Sequence, residues 1–285
     1  MPGGGGWRTV WRRLRRDRFA VAGLAFLVVV VLLGLLAPWI APYHPTRDVD
    51  LTLRLRPPGT PGHLLGTDEL GRDVLSRLLW GTRLSVGVGF LATLEAMVVG
   101  VIIGVLAGYY RGPFDAVAMR GVDILMAFPY VLLAIAIIAA LGPGLTNAML
   151  AVAITGIPYY ARIARGQVLA LRDREFIEAQ HALGAPDWRI LVRHILPNVL
   201  SPIIVAATLD VGWMITAAAG MSFLGLGAQP PTAEWGVMLS DGRKYIRTAP
   251  HLSLLPGMAI FLVVLALNLA GDGLRDALDP RLKDR

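Results

Sequence analysis

The sequence predicts an all-α integral membrane protein with six transmembrane helices. Of its 285 residues, 55% are hydrophobic and only 16% are charged, whereas soluble domains carry about 25% charged residues. The apolar residues also stand in long uncharged blocks, and a helix needs about 20 such residues to cross the hydrocarbon of a bilayer. This composition excludes a disordered chain and an ordinary cytosolic enzyme.

The first predicted span covers residues 19–41, directly after an arginine-rich stretch at 1–18. Basic residues followed by an apolar run also occur in secretory signal peptides. We expect this span to be retained, because its apolar run is longer than that of a signal peptide. Pro38 and Pro42 also crowd the small residues at which cleavage would occur.

Five further spans follow along the chain. A single carboxylate, Glu95, interrupts the second, and the break at 142–144 (Gly-Pro-Gly) divides a long uncharged run into the third and fourth. Pro129, Pro158 and Pro256 fall inside spans, where we expect kinks. Membrane helices tolerate such kinks because neighbouring helices satisfy the freed backbone carbonyls. The predicted boundaries of these spans are 84–109, 116–141, 145–163, 199–224 and 252–271.

Six spans place both termini on the same side of the membrane. Nine of the 27 Lys and Arg residues fall within 41–83 and 225–251, so the opposite side holds twice as many. Because positive residues concentrate on the cytoplasmic side, we expect both termini and a loop at 165–198 to be cytoplasmic. The resulting segments are a cytoplasmic N-terminus (1–18), the first span (19–41), an external amphipathic segment (42–83), a core with five spans (84–275) and a cytoplasmic tail (276–285).

The sequence contains no recognisable catalytic, metal-binding or nucleotide-binding motif. Its two lysines, Lys244 and Lys283, lie outside any GxxxxGK[ST] loop, its five histidines lack the HExxH spacing, and it has no cysteine. Its basic charge lies at the ends of apolar blocks, which is typical of orientation signals rather than of nucleic-acid binding. We therefore predict a transport channel that other proteins drive.

Two features of the sequence predict close helix contacts and a helical elbow. Gly100, Gly104 and Gly108 stand four residues apart in the second span, which favours close approach of another helix. Within 172–197, Gly184 is expected to end one short helix, and Asp187 to cap the next. Helical spacing of the apolar residues is compatible with docking into a partner's groove or with an ordinary interfacial loop. The apolar positions are Phe176, Ile177, Ala179, Leu183, Ile190, Leu191 and Ile195.

The residues of this loop carry a more specific signal. Glu178 and Ala179 are followed, after four intervening residues, by Gly184, and after nine more by the run 194–197, which reads His-Ile-Leu-Pro. This combination resembles the EAA loop of ABC importer permeases, with Gln180 in place of the common Ala. The resemblance implies contact with an ATPase subunit through Glu178, Ala179, Gly184, Ala185, Asp187, His194, Leu196 and Pro197.

Four other segments are similar to signatures of the C-type permease subunit in the dipeptide/oligopeptide/nickel group. They are GTDELGRDVLSR at 66–77, MRGVD at 119–123, SFLGLG at 222–227 and GDGLRD at 271–276. The resemblance covers about residues 19–285 and implies the type I ABC importer permease fold in a bacterial or archaeal plasma membrane. At one position the chain departs from the group, because Ala218 stands where many members carry Glu.

The resemblance also implies partners besides membrane lipid: a homologous B-type permease, two ATPase subunits that bind ATP and Mg, and an extracytoplasmic solute-binding protein. Residues 228–250, which mix Pro, Trp and basic side chains, are the predicted contact for the binding protein. The chain itself would hold no cofactor. A di- or oligopeptide is the expected solute, with glutathione and nickel as alternatives.

Glu95 and Asp210 are the carboxylates deep inside predicted spans. A charge at the centre of a membrane helix costs about 2.5–3.5 kcal/mol, so such groups are candidates for the solute pathway. There a carboxylate could meet a peptide's α-amino group or a cation, or it could be a structural pair with an Arg or with the partner subunit. From another functional class, a proton-coupled secondary transporter would use both acids as a relay, and a membrane scaffold would need neither.

Overall fold

The computed structural model describes residues 11–278, and this part of the chain is largely helical. Its principal helices are α1 (Arg18–Ile40), α2 (Val74–Tyr110), α3 (Gly112–Met126), α4 (Tyr130–Leu141), α5 (Leu145–Arg172), α6 (Glu175–Ala182), α7 (Asp187–Ile190), α8 (Leu196–Phe223), α9 (Trp235–Gly242) and α10 (His251–Leu278). Residues 1–10 of the predicted cytoplasmic N-terminus and residues 279–285 of the predicted cytoplasmic tail lie outside the described part.

The all-α membrane class is confirmed by helix length and composition. Within residues 11–278, helices α1, α2 and α10 and the continuous run Asp187–Phe223 are long and apolar enough to cross a membrane. The bent pair of α3 and α4 would make a fifth span. The predicted fourth span lies in α5, which carries Arg162 and Arg165 and is not among these helices. The described residues therefore contain at most five of the six predicted spans by length and composition.

The predicted third span, 116–141, is not one helix. It is divided between α3 and α4, whose axes differ by 95°. Pro129 lies at the start of α4, has no N–H to donate to a preceding turn, and disfavours helical geometry in the residue before it. The kink expected at Pro129 is therefore a complete break, whereas Pro158 and Pro256 lie inside α5 and α10.

The glycine face of α2 packs against α5, as its spacing predicts. A Cβ added at Gly100 would lie 2.6 Å from the carbonyl oxygen of Ile157, and one at Gly104 would overlap the carbonyl oxygen of Ala161. At Gly108 the added atom would lie 2.9 Å from Cβ of Val168. The two backbones approach closely because these three positions carry no side chain.

The loops gather at the two ends of the bundle in the alternation that the spans predict. At one end, Arg77 Nη1 donates to the carbonyl oxygens of Pro45 and Pro231, at 3.1 and 3.3 Å. At the other end, Arg111 Nη2 lies 2.9 Å from Asp173 Oδ2. Residues of the two described chain ends also pack together, namely Leu14, Ala20 and Ala277.

Residues 41–73 form a folded cap over the start of α2. Asp68 is the centre of the cap: its Oδ1 accepts from the backbone N–H groups of Leu70 and Arg72, at 2.9 and 3.0 Å. Its Oδ2 lies 2.7 Å from Arg72 Nε and 3.4 Å from Arg77 Nε. Both arginines are at most 2% exposed, so the GTDELGRDVLSR signature specifies a buried polar network.

Two further carboxylates balance the charge of this network. Glu69 and Asp241 line a small cavity between the cap and α9, together with Asp68 and Arg77. Burial raises the pKa of Glu69, and the neighbouring Asp241 adds to the increase. Burial also raises the pKa of Asp241, while Arg77 opposes that change.

Helix α9 is fixed to α2 by buried hydrogen bonds. Ser85 Oγ donates to Glu234 Oε1 at 3.0 Å, and Trp235 Nε1 donates to the carbonyl oxygen of Leu78 at 3.2 Å. Trp235 is 2% exposed. The predicted use of Trp235 as a contact for a binding protein is therefore wrong, because its ring belongs to the core.

The contact between α2 and α5 can be tested with one added methyl group. We expect Gly104→Ala to lower the melting temperature of the purified protein, because the new Cβ would overlap the backbone of α5. Gly87→Ala is the matched control: nothing lies within 4 Å of its added Cβ, and alanine favours a helix by about 1 kcal/mol over glycine. Equal melting temperatures for the two variants would contradict this packing.

The cap network predicts a large difference between two aspartates. Asp68→Asn keeps the shape but leaves two buried guanidinium groups without their carboxylate, so we expect about 3 kcal/mol of lost stability. Asp123→Asn removes an exposed bridge to Arg162, which is worth about 1 kcal/mol or less. Thermal unfolding of both variants measures the difference, and a loss for Asp68→Asn no larger than the control's would contradict the network.

Candidate functional site

The elbow, residues 173–195, contains α6 and α7, which are joined by a turn with a glycine. Gly184 has φ of +73°, and its N–H donates to the carbonyl oxygen of His181 at 2.9 Å. The next N–H, of Ala185, donates to the carbonyl oxygen of Gln180 at 3.0 Å. These two bonds form a Schellman motif, which confirms Gly184 as the residue that ends the first helix.

Asp187 does not cap α7 as predicted. Pro186 occupies the N-cap position, and α7 has no side-chain cap. The carboxylate of Asp187 instead accepts a hydrogen bond from Tyr109 Oη at 2.9 Å, and the same hydroxyl lies 3.5 Å from His181 Nε2. Tyr109 stands at the end of α2, so one phenol contacts both helices of the elbow and joins them to the bundle.

The second helix of the elbow is continuous with a membrane-spanning helix. A π-helical turn, Leu191–Ile195, connects α7 to α8, and the N–H of Leu196 donates to the carbonyl oxygen of Leu191. Pro197 has no N–H for the regular bond to residue 193, and the wider turn accommodates it. Helix α7 therefore continues into α8 with no loop between them.

The elbow separates its apolar residues into two sets. Ile177, Ile190 and Ile195 are fully buried and belong to the hydrophobic core. Four large apolar side chains are exposed, with Leu183 at 80% and Trp188 at 64% exposure, together with Phe176 and Val192. Trp188 and Val192 were not among the predicted apolar positions, although their i, i+4 spacing is a helical signal.

The predicted contact residues are mostly accessible. Glu178, Ala179, Gly184, Asp187 and Pro197 are exposed, and Ala185, His194 and Leu196 are half-buried. An added Cβ at Gly184 would meet nothing within 4 Å. The turn at Gly184 and the acidic residues Glu178 and Asp187 are thus exposed. The three buried isoleucines of the elbow pack it against the bundle.

The two membrane carboxylates have different surroundings. Asp210 lies near the middle of α8, where its Oδ2 accepts a hydrogen bond from Tyr160 Oη at 2.7 Å. Tyr160 is fully buried, and it could not be predicted as the partner of Asp210 because it lies 50 residues away in the sequence. Glu95 is half-buried in α2. Within residues 11–278 it has no hydrogen-bond or ion-pair partner, and neither acid is bonded to an arginine.

The geometry of the described residues gives no sign of a metal centre. In residues 11–278, no group of three or more His, Asp or Glu side chains is placed to hold a metal ion. The candidate functional features of the described residues are the elbow, the cap and the bonded pair of Asp210 and Tyr160.

Comparison with known proteins identifies relatives over nearly the whole length. The model of the binding-protein-dependent transport system inner membrane component matches residues 100–284, and that of the N-terminal TM domain of oligopeptide transport permease C matches residues 6–58. The glutathione transport system permease protein GsiD of Pectobacterium atrosepticum is 48% identical, covering 97% of this chain and 92% of its own. The dipeptide transport system permease protein DppC of Alkalihalophilus pseudofirmus is 47% identical, with coverages of 97% and 90%.

Solved structures share the fold. A chain of the MetNI methionine ABC transporter, in an inward-facing conformation, aligns with a TM-score of 0.59 at 21% identity, covering 71% of this chain and 97% of its own. A chain of an amino acid ABC transporter aligns with a TM-score of 0.53 at 17% identity, with coverages of 70% and 92%. These neighbours confirm the type I ABC importer permease fold.

The family model covers most of the chain, and the elbow lies inside the matched region. The relatives are membrane permeases rather than enzymes by name, and their lengths agree with that of this chain. The chain therefore belongs to the family of binding-protein-dependent transport system inner membrane components.

Proposed function

We propose that this chain is the C-type permease subunit of an ATP-driven ABC importer that carries di- or oligopeptides across a bacterial or archaeal plasma membrane. The observation that carries the proposal is the elbow, which is exposed, apolar and continuous with α8 through a single π turn. Relatives named as dipeptide and glutathione permeases favour a peptide solute over nickel, since glutathione is itself a tripeptide.

Two ATPase subunits, which bind ATP and Mg, would engage the importer from the cytoplasm. On this chain the contact would be made by the elbow, where Phe176, Leu183, Trp188 and Val192 leave apolar area exposed. Buried aromatic anchors often dominate the energy of protein interfaces, so Trp188 is the expected centre of the contact. Movement of the ATPases would reach α8 because Ile177, Ile190 and Ile195 fix the elbow in the core.

The opposite end of the bundle would face the solute-binding protein. Here Arg243, Lys244 and Arg247 are exposed beside Ile246, and Arg54 Nη2 donates to Tyr245 Oη at 3.1 Å. That bond connects the cap to the segment after α9. The basic side chains of the two segments therefore form one surface. A B-type permease would complete the translocation pathway as the second half of a heterodimer.

Orientation can be measured directly because the chain contains no cysteine. Glu178 and Lys244 are exposed at opposite ends of the bundle, so we compare Glu178→Cys with Lys244→Cys in intact cells. Because the arginine excess marks the elbow side as cytoplasmic, a membrane-impermeant maleimide should label position 244 alone. Permeabilised cells should label both positions, and labelling of position 178 in intact cells would reverse the orientation.

Coupling through the elbow predicts a difference between two substitutions of Gly184. Its φ of +73° costs other L-residues about 1–2 kcal/mol, whereas asparagine visits this region more readily. We expect Gly184→Val to insert normally but to lose ATPase binding and ATP-driven peptide uptake, and Gly184→Asn to retain most of both. Glu178→Ala should reduce uptake only partly, since surface ion pairs are weak.

Pull-down of the ATPase subunits and uptake by proteoliposomes measure these effects, with insertion checked by the amount of permease in the membrane. A Gly184→Val variant that assembles and transports like the wild type would show that the elbow is not the coupling element.

A further inference from the structure

We propose that Asp210, with the contacting rings of Tyr130 and Trp213, forms a site in the translocation pathway for the α-ammonium group of the passing peptide. This inference rests on the proposed function, because it names the residues that a peptide solute would meet within the membrane. It is carried by three features of the described residues: a carboxylate with one free oxygen, its position in α8, and the exposed aromatic pair beside it.

The carboxylate of Asp210 is held in place but not neutralised. Tyr160 Oη donates to Oδ2 at 2.7 Å, and Tyr160 is fully buried with its ring in edge contact with Tyr159. Within residues 11–278, Oδ1 has no hydrogen-bond partner and no arginine, lysine or histidine pairs with the group. One hydroxyl satisfies only part of what a carboxylate can accept, so the other oxygen is left for a ligand.

The position of Asp210 excludes a lipid-facing role. It lies near the middle of α8 and is only half-buried by this chain. An ionised carboxylate at that depth is costly in hydrocarbon and is found facing a bundle interior or a water-filled cavity. The open side of Asp210 therefore faces the pathway and the partner permease, where a solute passes.

An aromatic pair lies beside the carboxylate. Trp213 follows Asp210 by three positions on α8, a spacing that places two side chains on neighbouring parts of one helix face. Its ring contacts that of Tyr130, with the ring centroids 4.6 Å apart and the planes tilted by 59°, and the two side chains are 39% and 44% exposed. Aromatic faces attract ammonium groups, so the pair adds to the attraction of the carboxylate for a cation.

The break at Pro129 is what brings Tyr130 to this place. Tyr130 is the first residue of α4, immediately after the 95° change of direction between α3 and α4. A straight third span would carry this ring along the axis of α3 instead. The broken helix therefore has a chemical consequence, since it aligns an aromatic ring with the face of α8 that carries Asp210.

The chemistry of this site fits the one group that peptides share. Dipeptides, longer peptides and glutathione differ in their side chains, but each carries a free α-ammonium group. One carboxylate and two aromatic faces recognise that group without a contact that depends on the peptide's side chains. Such a small set of contacts also suits a transport site, where binding must be weak enough for the solute to leave.

The competing interpretation is structural: the bond between Tyr160 and Asp210 would only hold α5 against α8. The two interpretations differ in what Asp210→Asn changes. Asparagine keeps the shape and can still accept from Tyr160, so a structural role would survive largely intact. Recognition of an ammonium group would not survive, because the negative charge is lost.

The control variant is Thr208→Val on the same helix. The hydroxyl of Thr208 donates to the carbonyl oxygen of Val205 at 2.7 Å, and Thr208 faces α10, where an added Cβ on Gly271 would lie 3.1 Å from Thr208 Oγ1. The substitution removes a polar atom of similar depth while leaving the face of Asp210 unchanged.

The first experiment measures ligand class with the complete importer in detergent and without the binding protein. Ala-Ala and N-acetyl-Ala-Ala are added at millimolar concentration, and the melting temperature is recorded. We expect Ala-Ala to raise it in the wild type and in Thr208→Val but not in Asp210→Asn, and the acetylated peptide to raise it in none. Equal shifts for the two peptides, no shift in the wild type, or an undiminished shift in Asp210→Asn would overturn the site.

The second experiment measures Ala-Ala uptake per ATP hydrolysed in proteoliposomes supplied with the binding protein. Asp210→Asn and Trp213→Leu should lower this ratio at least tenfold, while stimulated ATP hydrolysis stays within twofold of the wild type. For Thr208→Val, both the ratio and the rate of ATP hydrolysis should stay within twofold of the wild type. A parallel fall of uptake and hydrolysis, or an unchanged ratio, would overturn the inference. Absence of ATP-dependent Ala-Ala uptake in the wild type would instead refute the proposed peptide function.

Discussion

The close contact between α2 and α5 supports the elbow and the bonded pair of Asp210 and Tyr160. Three glycines on α2 allow the two backbones to touch, and the residues next to this contact are the ones that matter elsewhere. Tyr160 of α5 packs on Gly100 and donates to Asp210, whereas Tyr109 follows Gly108 and donates to Asp187. One helix pair thus positions a carboxylate in the membrane and an elbow at its edge.

The elbow and the carboxylate also share a second element. Residues 187–223 form a continuous helical run, so Asp187 at one end and Asp210 near the middle belong to the same body. A wide π turn replaces a loop at the point where Pro197 lacks its N–H, and this keeps the run unbroken. Asp187 and Asp210 are therefore joined by helix alone, with Pro202 inside it.

Local patterns in the sequence predicted the features that local chemistry decides. The apolar blocks gave the membrane class, the spacing of Gly100, Gly104 and Gly108 gave a packed face, and Gly184 gave the end of a helix. The partners of Asp187 and Asp210 could not be predicted in this way, because Tyr109 and Tyr160 lie 78 and 50 residues away.

Two further differences have the same origin in tertiary structure. Hydropathy does not distinguish a kinked span from the broken pair α3 and α4, since the residues on both sides of the break, from Ile124 to Leu141, carry no charge. Trp235 lies in a polar segment that is typical of a surface, yet its ring is buried against α2 by a hydrogen bond to Leu78.

Amide hydrogen exchange across the elbow measures whether ATPase subunits cover it. The rates for residues 176–192 are compared between the permease pair alone and the same pair assembled with its ATPase subunits. We expect slower exchange at Leu183 and in the turn that contains Trp188 on assembly, because these exposed residues become covered. Unchanged exchange throughout this segment in a fully assembled importer would contradict this expectation.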